Sequence, residues 1–222
     1  MNSLRSINKS NPHQISIEVP CMVFIDHALI INTFSIKIGF LPTVENRILN
    51  SIAFEKIEMF FELFVKNSII IDKQNHQEFK NITKIENNVV STPGMPNDQV
   101  VGSLFYLKLI SIVGSDLDIQ YLKLSSDLGK NIVYTFDYDS PELEVLIPTK
   151  KDWWENDQIE FLPWWDREDT ATYDMMLDSE TFFQGDVSWN EFFKEEIEKV
   201  KNLEKTAKGK LKIISGGKNE TQ

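Results

Sequence analysis

Apolar residues alternate with polar ones at Ile15, Ile17 and Val19, and again at Phe34, Ile36, Ile38 and Phe40. A period of two marks strands that bury one face, because successive side chains point to opposite sides of a sheet. The two runs predict a pair of antiparallel strands near the start of the chain.

The period changes at Pro42-Thr43. Thr43 can cap a helix with Glu45 in its first turn, and Ile48, Ile52, Ile57, Phe60, Phe61 and Phe64 follow at helical spacing, so a helix ending near Asn67 is expected. Ser68 to Asp72 reads as a short buried strand, and Lys73 to Asn88 as a polar interruption. Thr92-Pro93-Gly94 is a turn signal, after which Asn97 can cap an apolar helix running to about Val113, although periodicity alone does not separate that run from a strand. Leu117 to Leu124 and Ile132 to Tyr138 predict two more strands, with Ile132, Tyr134, Phe136 and Tyr138 on one face. Ser188 and Glu191 form a capping box that opens a charged C-terminal helix. This order implies an α+β fold, a mostly antiparallel sheet with two packed helices. The expected division is a flexible N-terminus (1–14), an α+β core domain (15–145), an irregular acidic aromatic extension packed on or beside the core (146–187), the C-terminal helix (188–208) and a mobile tail (209–222).

Charge is distributed unevenly over this plan. Residues 137 to 186 hold fifteen Asp and Glu against Lys150, Lys151 and Arg167, about the whole of the chain's net −11. Trp153, Trp154, Trp164 and Trp165 fall in the same stretch. Pro163 rules out one continuous helix there, because it lacks an amide donor and clashes with the preceding turn. Two placements of the rings are possible. Exposed rings would anchor a partner while carboxylates around them select a basic protein surface or peptide; buried rings would pack the extension onto the core. Trp153, Trp154, Trp164, Trp165, Asp166, Glu168 and Asp169 are the candidate partner-binding residues. A DNA-mimic inhibitor of a nucleic-acid-binding protein is an alternative, but the acids are interrupted by bulky apolar residues where duplex DNA carries one charge per about 1.7 Å.

An acidic chain with sequence pI near 4.8 repels phosphate, so direct nucleic-acid binding is not expected. Cys21 is the single cysteine, which excludes an internal disulfide or a multi-cysteine metal site and suits a reducing, cytoplasmic setting. The segment Met1 to Gln14 is polar, unlike a secretory signal, and the apolar run from Gly102 to Gly114 is too short for a bilayer and contains Lys108, so no membrane association is expected. About twenty lysines stand against three arginines, and alanine is scarce, as AT-rich codons produce. The bias favours an accessory protein, of the kind phages and mobile elements carry, over a housekeeping enzyme.

Enzymatic signatures are sparse. Asp116-x-Asp118, Asp137-x-Asp139 and Glu142-x-Glu144 could each place two carboxylates on one strand face, where hard cations prefer oxygen ligands. A metal-dependent hydrolase or nuclease using Asp137 and Asp139 is therefore the enzymatic alternative. Half-exposed strands of acidic proteins show the same pattern without any ion. Cys21 and His27, if on one strand, lie roughly 20 Å apart at about 3.3 Å per residue, which argues against a cysteine nucleophile. His13, His27 and His76 lack paired metal spacing, and phosphate-loop, dinucleotide and serine-elbow motifs are missing, so no cofactor is expected. The sequence points to a non-enzymatic protein-interaction module.

Overall fold

The computed structural model describes residues 12–43, 47–86, 88–141, 143, 163–174, 189–195, 197–199 and 202. Strands β1 (His13–Ile25) and β2 (Ala28–Pro42) form a long antiparallel hairpin in which Ile17 faces Ile36 and Val19 faces Phe34. Asp26 and His27 make the two-residue turn with φ of 50° and 62°. Positive φ at both central positions matches the right-handed twist of the flanking strands. The predicted alternation is present: Val19, Cys21, Val23, Phe34, Ile36 and Ile38 are buried on one face. β1 begins at His13, whose ring stacks on Phe40.

Helix α1 (Arg47–Met59) continues into a π-helical turn, Phe60–Val65, and the chain leaves it through Asn67 at positive φ. Phe60 and Phe61 meet Phe105 edge-to-face at 6.1 and 5.5 Å. Strand β3 (Ile69–Asp72) pairs in parallel with β1, and β4 (Val89–Thr92) in parallel with β3. Helix α3 (Asp98–Val113) starts where expected, with Asn97 Oδ1 accepting from the Val100 amide. Strand β5 (Leu117–Ser126) pairs antiparallel with β2, and β6 (Tyr134–Phe136) with β5. The six-stranded order is β4-β3-β1-β2-β5-β6, an α+β fold whose sheet is mostly antiparallel.

Three departures from the sequence expectation concern short elements. The polar interruption contains helix α2 (His76–Ile85), which buries only Phe79 and Ile82. These join Ile69, Ile71 and Val89 in a small core on the sheet face opposite the main one. So narrow a stripe among Gln, Asn and Lys carries little periodic signal. All four β4 residues are buried, so that strand shows no alternation either. The strand expected over Ile132–Tyr138 is shorter. Ile132, 56% exposed, still belongs to the turn before the strand, its amide bonded to the Gly129 carbonyl, and Tyr138 is 88% exposed because the chain turns at Asp137. Its Oδ1 accepts from the Asp139 amide and the Ser140 hydroxyl, a side-chain-closed turn that stops the ladder.

Helix α3 is buried on nearly every side, so its apolar character is continuous rather than striped. Gly102 lets it approach β6 closely, since a side chain there would run into the Phe136 ring. At its first turn Asp98 is buried, and Oδ1 accepts from the Ser126 hydroxyl at 2.7 Å. Burial raises the Asp98 carboxyl above its ordinary pKa, partly offset by the bonds from Ser126.

Candidate functional site

Lys108 is the single charged side chain in the middle of α3, and it is fully buried. Its ammonium lies 2.9 Å from the Trp164 carbonyl, 2.8 Å from the Arg167 carbonyl and 3.3 Å from Asp169 Oδ1. A buried cation is tolerated only when its donors are satisfied, and these three acceptors match the three N–H groups of a lysine. The acidic stretch is therefore tied to the core by a residue some sixty positions earlier in the chain.

Around this tie the segment 163–174 is bonded along most of its length. Pro163 precedes one 3-10 turn, Trp164–Asp166. Trp164 is completely buried, donates through Nε1 to the Ser91 carbonyl at 3.0 Å, and meets Trp165 edge-to-face at 5.8 Å. The Trp165 carbonyl accepts from Ser111 Oγ, and the Lys73 ammonium lies 5.4 Å from the centre of its ring. Asp169 also accepts from the Ala171 amide and pairs with Arg167 at 3.0 Å. Thr172 closes the edge of β4: its hydroxyl donates to the Val89 carbonyl at 2.6 Å, and its own carbonyl accepts from the Ser91 amide at 2.9 Å. Trp189, opening the short helix α4 (Trp189–Phe192), donates to the Asp169 carbonyl.

Of the two placements of the rings, Trp164 and Trp165 take the buried one. Both are core residues, joined to the same cluster as Ala171, Trp189 and Phe193. Asp169 is committed to Lys108 and Arg167, and half-buried Asp166 has its carboxyl raised by burial, with Lys108 opposing the rise. Asp174 is also raised by burial, against the lowering influence of Lys73 and Arg167. Of the candidate residues in this segment only Glu168 is well exposed. Trp153 and Trp154 lie outside the described residues, as does the pair Glu142 and Glu144.

The remaining carboxylates gather at one end of the sheet. Asp118, Asp137 and Asp139 are exposed, and all three act on the buried Tyr106 phenol, which burial first and these charges second push up to about 12. Asp116 and Glu168 together act on Lys56. Asp137 and Asp139 do not share a strand face, because β6 ends at Phe136 and the turn consumes Asp137 Oδ1. Among the described residues no three His, Cys, Asp or Glu side chains are grouped so as to hold a metal ion.

The Cys21 thiol faces the core and burial pushes it up to about 12, so it is held protonated. His27 sits in the hairpin turn, 3.3 Å from Glu78. The open sheet face carries a shallow groove of about 600 Å³ with Gln14, Glu18, Ser35, Lys37, Tyr121 and Lys123 among its lining, a polar surface without the apolar walls of a typical ligand pocket. Among the described residues no helix is long and apolar enough to cross a membrane. No protein-family model matches the chain, and no curated protein matches it in sequence.

Lys108 was legible as a charge inside an apolar run, but its role was not. A buried lysine signals that some acceptor must reach it. Which segment supplies the acceptors depends on packing.

Proposed function

We propose that the protein is a non-enzymatic interaction module, accessory or inhibitory in role, that engages a basic protein surface through its acidic end. The observation carrying this reading is the arrangement of exposed carboxylates. Asp118 comes from β5, Asp137 and Asp139 from the turn after β6, and all three bear on Tyr106; Glu168 comes from the lysine-tied segment and shares Lys56 with Asp116. With Trp164 and Trp165 serving the core, recognition at this end is electrostatic. Such surfaces act chiefly on association rate and on the choice of partner. Asp169 contributes by holding the segment that presents Glu168, and half-buried Asp166 lies in the same segment.

The test is a combined Asp118→Lys, Asp139→Lys and Glu168→Lys variant, three exposed positions whose replacement leaves the core intact, verified by an unchanged circular dichroism spectrum. The wild type is expected to capture a basic protein from lysate of its source cells at low ionic strength, with capture weakened by salt. The variant is expected to lose most of that capture. Equal capture by both proteins would refute the proposal.

A further inference from the structure

β2 is fifteen residues long, but β5 accompanies it only from Phe34 onward. The Thr33 carbonyl points to the β5 side and accepts from the Asp127 amide. Alternate residues of an antiparallel strand direct their N–H and C=O to opposite sides, and the β1–β2 register is continuous here, so Leu29 and Ile31 turn their backbone groups to the same side as Thr33. Among the described residues no strand lies beside them.

The side chains match this open edge. Ile31 is 81% exposed and Leu29 49%, and the two share one face of the strand; beyond the edge the Leu128 amide bonds to Asn32 Oδ1. Proteins ordinarily blunt such an edge with lysine, proline or a bulge. Residues Ala28 to Thr33 contain no charge and no proline. The opposite edge of the sheet, at β4, is closed by Thr172 of the same chain. The open edge is also rigid: β1 behind it pairs with β3 at Met22 and Val23, and the tight turn joins the two strands. A strand docking there pays little for ordering the site.

We infer that the Leu29–Ile31 edge is a strand-addition site for an extended segment of a partner protein, apolar at alternate positions and basic at its ends. Main-chain bonds to Leu29 and Ile31 supply affinity, and side chains packing over the exposed Leu29 and Ile31 supply selectivity. Exposed Asp26 and Asp127 flank the uncharged stretch and select basic ends. A second copy of the chain is the poorer occupant, since each copy carries a net −11. This inference rests on the reading of the protein as a module for a basic partner, and says how that partner is gripped.

The test uses a short synthetic peptide of alternating valine and threonine with lysines at both ends, followed by fluorescence anisotropy and by amide hydrogen exchange of the full chain. Peptide binding is expected to slow exchange at Leu29 and Ile31. It is expected to vanish when alternate peptide amides are methylated, and to fall more than about tenfold in Ile31→Pro, which removes an outward N–H. Ile31→Lys, which keeps the backbone donor but blunts the edge, serves if the proline variant unfolds, and a fall in binding is expected there too. Unprotected amides, undiminished binding of the methylated peptide, or a dimer that dissociates in Ile31→Pro would each overturn the inference. Capture of the cellular partner separates the two proposals. Capture that survives Ile31→Pro but fails in the acidic-end variant overturns the edge site alone. Capture that fails in Ile31→Pro and survives the acidic-end variant supports the edge and overturns the acidic end.

Discussion

The Trp164–Asp174 segment and the outer edge of β2 present the same kinds of group, large apolar side chains and strand-like backbone, yet one is saturated and the other open. Trp164 is fully buried with its indole N–H and carbonyl both bonded; Ile31 is mostly exposed, and among the described residues no strand lies on its outer side. The acidic segment looked like the recognition surface because it combines tryptophan with charge. Composition therefore does not tell the two apart, and the difference lies in whether the chain itself supplies a partner. Lys108 and β4 do so for the acidic segment. Nothing among the described residues does so for Leu29 and Ile31.

The strongest test of this contrast is to remove the tie. Lys108→Met keeps the apolar stem but takes the buried charged donor from the Trp164 and Arg167 carbonyls and from Asp169, which keeps only Arg167 and the Ala171 amide, so a loss of about 3–5 kcal/mol is expected in urea unfolding. A loss below about 1 kcal/mol would mean that Lys108 does not hold the segment. Trp164→Phe retains most of the packing and deletes the bond to the Ser91 carbonyl, so about 1–3 kcal/mol is expected from the same measurement.

A smaller effect concerns pH. Asp98, Asp166 and Asp174 all have folded-state pKa values raised above 3.8, so the folded protein binds their protons more tightly than the unfolded chain does. Their contribution to stability is fully present below pH 3.8 and is lost as pH rises through the folded values. Asp98→Asn should flatten the slope of stability against pH in that window without lowering stability at neutral pH. An unchanged slope would show that folding does not raise the Asp98 carboxyl. The smallest effect is expected at the edge: Ile31→Lys should alter stability by no more than about 0.5 kcal/mol, because the side chain has little packing to lose. A loss of 2 kcal/mol or more, on the order of a buried aliphatic side chain, would show that another part of the chain covers the edge.

Much of the fold could be read from local pattern. Alternation located the hairpin, and Asn97 located the start of α3, because capping and periodicity act over a few residues. α2 and β4 were hidden because two buried residues, or four buried in a row, resemble a loop or any short apolar run. The hydroxyl and carboxylate of the Asp137 turn also stopped β6 two residues earlier than the alternation predicted.

The sequence by itself determined the α+β class, the main strands and helices, the single cysteine and the address of the acidic field. These follow from the order of residues along a few turns or strand steps, and from charges that can be counted. Only the tertiary structure decided that Lys108 would reach across from α3 to bind the acidic segment, that Trp164 and Trp165 would enter the core, and that β5 would stop short of Leu29. Each of these depends on which distant groups meet. A buried cation has to find acceptors wherever the fold provides them, while a strand edge remains open wherever its neighbour ends.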